Sequence, residues 1–129
     1  MRTKTGGEIT GAALLAYYRT RGYDPRGFTD EDRRYGRTLV RAFRLTGKRV
    51  IDVGCGGGKF TAALLAAGAD AYGVEIESCF VENHCPGVDG RIIVWPPNTP
   101  AFPPETFDFA HSSQVLEHVH DASVAAHLG

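Results

Sequence analysis

The stretch Arg49 to Glu77, RVIDVGCGGGKFTAALLAAGADAYGVEIE, constrains the fold more than any other part of the chain. Val50-Ile51-Asp52-Val53 is a short β-branched run ended by glycine, the pattern of a buried strand. Gly54-Cys55-Gly56-Gly57-Gly58 follows and predicts a sharp turn. Phe60, Ala63, Leu64 and Ala67 then recur at helical spacing, with Gly68 where a helix stops. Ala69 to Val74 is a second apolar run, and it ends on Glu75, 21 residues after Gly54.

Each part has a physical task. Glycines let the backbone turn sharply and let a ligand approach without meeting a Cβ. The helix points N–H groups and the positive end of its dipole at the turn. A carboxylate ending the second strand can accept hydrogen bonds from both hydroxyls of a ribose. Strand, glycine turn, helix, strand and acid make the nucleotide half of a Rossmann-like α/β unit, and the order predicts a ligand with an unphosphorylated ribose. The plainer alternative is a helix-to-sheet turn whose glycines serve close packing. Two other fingerprints fail. The last glycine of G-x-G-x-x-G, counted from Gly54, falls on Lys59. A P-loop would need glycine at Val53 and Ser or Thr at Phe60.

VIDVGCGGG followed by GVEIE resembles the first two motifs of the class I S-adenosylmethionine-dependent methyltransferases. Phe102-Pro103-Pro104-Glu105-Thr106-Phe107-Asp108 followed by Ser112-Ser113-Gln114-Val115-Leu116-Glu117-His118-Val119 resembles that family's fourth-strand motif. The likeness covers about Arg49 to Asp121. It implies S-adenosylmethionine as cofactor, with Gly54, Gly56 and Gly58 as the turn against its methionine and ribose. It implies Asp52 supporting the amine, through water or the turn backbone, Glu75 on the ribose hydroxyls and Ile76 on the adenine. Ser112 and Ser113 then lie beside the methyl group. The pattern usually has an Asp after the third strand for the adenine amino group. Here that place falls near Pro96, and Asn98 is the nearest polar side chain.

The rest of the chain reads more plainly. Residues 1–48 form an N-terminal helical segment, which in the family commonly covers the site, and 49–129 the cofactor domain. Glu8 to Arg21 reads as one helix and Thr29 caps a second, through a capping box with Asp32. Tyr35, Leu39, Ala42 and Phe43 are its expected apolar face, opposite Arg33, Arg37, Arg41 and Arg44. Tyr17, Tyr18 and Tyr23 are substrate-facing or core. Glu77 to Asn83 predicts a short helix, Arg91 to Trp95 the third strand, Pro96 to Pro104 an extended connection, and Thr106 to Ser112 the fourth strand. Gln114 to His120 begins a helix. His111 is the nearest base in sequence, unless strand alternation turns it into the packing. Cys79, His84 and Cys85, and Glu117, His118 and His120, read as ordinary loop, core or structural residues, so no metal is expected.

Charge divides the chain. Residues 1–49 hold 12 Lys or Arg against 5 Asp or Glu, and 50–129 hold 2 against 10. A basic segment suits an anionic partner such as nucleic acid, or an arginine-rich helix facing water or its own acidic domain. The second reading is favoured. Three cysteines, an odd count, point to a reducing, cytoplasmic setting, and no apolar run is membrane-spanning. The family sheet has seven strands and four can be placed, which suggests a truncated or partner-completed chain with an open edge that favours self-association. The expected fold is therefore a Rossmann-like parallel sheet of the class I methyltransferase type with N-terminal helices and about four strands. The expected function is methyl transfer to a small-molecule acceptor. The alternative is a non-catalytic cofactor-binding or structural half-domain.

Overall fold

The computed structural model describes residues 11–95 and 106–112. Their elements run α1 (Gly11–Arg19), α2 (Asp30–Phe43), β1 (Arg49–Val53), α3 (Lys59–Ala66), β2 (Asp70–Glu75), α4 (Ser78–Glu82), β3 (Ile92–Val94) and β4 (Phe109–Ser112). The four strands form one parallel sheet in the order β3-β2-β1-β4. β1 is thus an inner strand and is buried from Val50 onward, Asp52 included. The register sets Asp52 beside Gly73 on one side and His111 on the other. The fourth strand is clamped at its start, where Asp108 accepts the Arg49 N–H through Oδ2 and donates its own N–H to the Arg49 carbonyl.

Strand alternation sorts β1 into two cores. Val50 packs with Val40, Leu45, Leu64, Ala69 and Ala71 under α2 and α3. Ile51 and Val53 pack on the other face with Val74 and Trp95. The N-terminal segment therefore shares a core with the sheet through Val40 and Leu45. α1 sits elsewhere, joining α4 through Leu14, Leu15, Cys79 and Phe80, with Tyr18 and Tyr23 against them.

The α2 face differs from the sequence expectation. Gly36 and Val40 are its buried residues, while Tyr35 is 40% and Phe43 55% exposed. The cause is Gly36. A Cβ there would lie 2.4 Å from the Ala63 carbonyl oxygen, so α2 and α3 approach backbone to backbone only because that position is bare. This contact, which apolar periodicity does not register, turns Gly36 inward and leaves Phe43 at the rim on Phe109, ring centroids 5.0 Å apart. Arg33, Arg34, Arg37 and Arg41 are exposed, which is the water-facing arrangement.

The α2 N-terminus is as expected. The Thr29 hydroxyl accepts the Asp32 N–H, and Asp32 Oδ2 accepts the Thr29 N–H at 2.9 Å. Thr29→Ala is expected to cost about 1 kcal/mol in urea unfolding. A loss near zero would mean that tertiary packing alone holds this end. The short helix at Ser78–Glu82 and strands β3 and β4 fall inside their expected ranges. α1 is described from Gly11, so the expected start at Glu8 lies outside the described residues. So do the proline-rich connection and the helix expected from Gln114. Among the described residues no helix is long and apolar enough to cross a membrane, and no group of three potential metal ligands gathers.

Candidate cofactor site at the carboxyl ends of β1, β2 and β4

The glycine turn is built by backbone geometry. Gly54, Gly56 and Gly58 have φ of 72°, 57° and 91°, the left-handed region where a Cβ is strained. Every amide of the turn has a partner inside the protein. Gly54 and Cys55 donate to the Val74 carbonyl, and Gly58 to the Cys55 carbonyl. Gly56 donates to Glu75 Oε1 at 2.9 Å and Gly57 to the Tyr23 hydroxyl at 2.9 Å. A pyrophosphate cradle needs such N–H groups facing the ligand. This turn instead offers a closed backbone surface.

Two of the glycines are required by the chain itself. A Cβ on Gly56 would sit 2.2 Å from the Tyr23 hydroxyl, and one on Gly57 1.7 Å from the Pro25 carbonyl oxygen. The loop after α1 thus lies directly on the turn, so close packing explains Gly56 and Gly57 as well as ligand approach does. Of the three candidate tyrosines, Tyr23 is the one bonded to the turn. Burial pushes its hydroxyl up to about 12, against the lowering effect of the Gly57 N–H, so it accepts as a neutral phenol.

Glu75 ends β2 over this turn. Its Oε1 holds Gly56 and its Oε2 accepts the Glu77 N–H at 2.8 Å. Burial raises the carboxyl above its ordinary value, and the N–H groups of Glu77, Gly56 and Ile76 work against the rise. A carboxylate has about four acceptor positions, so two backbone bonds leave room for two more donors. Ile76, next in sequence, is 37% exposed. Ser112 is exposed at the end of β4. Ser113 and Asn98 lie outside the described residues.

Asp52 faces the α2–α3 layer and is 2% exposed. Its Oδ2 accepts from the Thr61 hydroxyl at 3.0 Å, and its Oδ1 lies 2.8 Å from His111 Nδ1. The turn amides go to Val74, Glu75, Tyr23 and Cys55, and none of them bonds Asp52. His111 is turned into the packing by strand alternation, 7% exposed, and its Nε2 lies 2.8 Å from the Tyr35 hydroxyl. Sequence reading missed Thr61 and Tyr35. Thr61 sits in the first turn of α3 with no local signal, and Tyr35 was read only as apolar. Cys55 is buried beside the turn with its thiol pushed far up by burial, Asp52 and Glu75, so it stays protonated and is no nucleophile.

A parallel sheet with a glycine turn after its central strand and an acid closing the next strand defines a Rossmann-like α/β domain of the kind that holds a nucleoside cofactor. The chain belongs to the methyltransferase domain family, whose profile matches residues 28–128. It is 38% identical over 89 residues to the ubiquinone biosynthesis O-methyltransferase of Methylococcus capsulatus, an alignment covering 64% of this chain and 38% of that protein. The chain thus spans less than two-fifths of that relative's length. Among solved structures, the fold is similar to an S-adenosylmethionine-bound amino pentose methyltransferase from Micromonospora echinaspora. That match has TM-score 0.59 and 24% identity over 92% of this chain and 51% of that one. It is also similar to a TehB-like S-adenosylmethionine-dependent methyltransferase from Corynebacterium glutamicum, with TM-score 0.61 and 19% identity over 88% and 62%.

Proposed function

We propose that the chain carries the cofactor-binding half of an S-adenosylmethionine-dependent methyltransferase acting on a small-molecule acceptor. The observation that carries this reading is the junction of Glu75 with the closed glycine turn. The carboxylate is fixed by Gly56 and Glu77 yet keeps acceptor capacity for two vicinal hydroxyls. The turn has no unpartnered amides for a phosphate. That combination fits a nucleoside without phosphates and disfavours a dinucleotide. Family membership and the named relatives support the same choice.

In this reading Gly54, Gly56 and Gly58 form the bed, Glu75 takes the ribose hydroxyls, Ile76 packs on the adenine, and Ser112 and Ser113 line the methyl side. Asp52 acts through its buried hydrogen bonds rather than by direct contact. When bound, the cofactor supplies a methyl group already activated by its sulfonium. The protein contributes alignment of acceptor and methyl group and exclusion of water. A reducing, cytoplasmic setting belongs to the reading and is supported by three free cysteines. Pairing with a second chain belongs to it as well: among the described residues β4 pairs with β1 and leaves its outer edge open.

Isothermal titration is expected to show S-adenosylhomocysteine binding and no NADH binding. The reverse result would overturn the assignment. The alternative, a non-catalytic binding or structural half-domain, shares the first outcome and separates only in turnover.

A further inference from the structure

Asp52, Thr61 and His111 are the buried polar or charged side chains among the described residues, and all three belong to one hydrogen-bonded chain that ends at Tyr35. Burying polar groups costs stability unless they are partnered, and apolar side chains would fill the same space without that cost. The chain is placed where open α/β sheets do their chemistry. Asp52 and His111 pair across β1 and β4, one residue before Val53 and Ser112, and Thr61 lies in α3 just after the glycine turn.

The protonation pattern follows from the donors. An ionised Asp52 can only accept, so His111 Nδ1 carries the proton directed at Oδ1. In a neutral imidazole Nε2 is then the acceptor, and the Tyr35 hydroxyl donates to it. Burial and Asp52 both raise the Tyr35 pKa, which keeps that proton on oxygen at rest. Among the described residues the side-chain partner of Tyr35 Oη is His111 Nε2, which leaves the hydroxyl's lone pairs for an outside donor on a residue that is 40% exposed as a whole. Among the described residues, the titratable groups facing His111 are Asp52 from β1 and Tyr35 from α2. From α3 come the Phe60 ring, 5.6 Å from the imidazole centroid, and Thr61, which shares Asp52. The Lys59–Asp32 pair at 3.9 Å joins α3 to α2 one residue from Phe60.

We propose that Tyr35 is a catalytic residue that takes the proton of the methyl acceptor's hydroxyl, with His111 and Asp52 as positioning residues behind it; this rests on the methyl-transfer reading above. The acceptor O–H bond breaks toward Tyr35 Oη as Tyr35's own proton moves to His111 Nε2. The electron pair left on the acceptor oxygen forms the new O–CH3 bond while the S–CH3 bond of the donor breaks, its pair returning to sulfur. The products are the methylated acceptor, a neutral thioether and an imidazolium held by the Asp52 carboxylate. The imidazolium then returns its proton to water through Tyr35.

The test uses the whole chain with excess S-adenosylhomocysteine and 4-nitrophenol as the probe hydroxyl, since its phenolate absorbs in the visible. On the wild-type chain the ionisation midpoint of the probe is expected to fall by about one pH unit, a roughly tenfold change in the ionised ratio. The shift is expected to vanish in His111→Gln and in Tyr35→Phe, which keeps the ring on Phe60. Thermal melts check that each variant is folded. An unshifted midpoint on the wild type overturns the proposal, because a purely structural chain of hydrogen bonds takes up no proton from the probe. A shift that persists in folded Tyr35→Phe overturns it too. Calorimetry with S-adenosylhomocysteine separates the two readings. Normal cofactor binding without a probe shift removes the proton route alone. A probe shift without cofactor binding removes the methyltransferase reading and leaves Tyr35 as a proton acceptor for another reaction.

Discussion

Glu75→Ala is expected to weaken S-adenosylhomocysteine binding by roughly 1.5–3 kcal/mol, the scale of hydrogen bonds to a charged group. The substitution removes the acceptor proposed for the ribose. It also releases the N–H groups of Gly56 and Glu77, which Glu75 now holds at 2.9 and 2.8 Å. Isothermal titration reads the change directly, and an unchanged affinity would remove Glu75 from the ribose site. The pH dependence has a definite sign. Burial holds this carboxyl above its ordinary value. Binding that uses the ionised form is therefore lost as pH falls through the raised value, earlier than for an exposed glutamate. Folding runs the other way. A carboxyl raised in the folded state contributes stability that is full below its unfolded pKa and is lost as pH rises through the folded one.

Gly36→Ala is expected to destabilise the fold by about 1–3 kcal/mol, the usual cost of overpacking. This reverses the rule that alanine in mid-helix is better than glycine by about 1 kcal/mol. The reason is local: the added Cβ would fall 2.4 Å from the Ala63 carbonyl oxygen and 2.8 Å from its Cβ, and backbone cannot move aside as a side chain can. Arg37→Ala, one residue on and exposed, is the control and is expected to change stability within about 0.5 kcal/mol. Urea unfolding of the pair checks the claim. A stabilised Gly36→Ala variant would mean that α2 and α3 separate at little cost.

Both predictions rest on contacts of different legibility. Glu75 was readable because the junction that uses it is short and ordered along the chain. A strand, a turn, a helix and a second strand bring residues 54 and 75 together whatever the rest of the chain does. The capping box at Thr29 and Asp32 was readable for the same reason, since both partners lie within one turn. The glycine turn itself was readable, but its packing was not. Tyr23 reaches Gly57 from 34 positions away, and nothing near either residue announces the other.

While the place of β1 inside the sheet came from the structure, the sequence by itself determined the alternation of strand and helix, a parallel sheet, the glycine turn and the acid that closes it. These follow from periodicity, from glycine's access to positive φ and from short-range hydrogen bonds. Only the tertiary structure decided which face of α2 is buried, that Gly56 and Gly57 make room for Tyr23 and Pro25, and that Asp52 turns away from the turn backbone to Thr61 and His111. Those outcomes depend on pairs separated by up to 76 positions, as between Tyr35 and His111. Such pairs are set by helix-to-sheet packing, where a single missing Cβ at Gly36 selects the approach of two helices. Local propensity carries no term for that contact, so no reading along the chain reaches it.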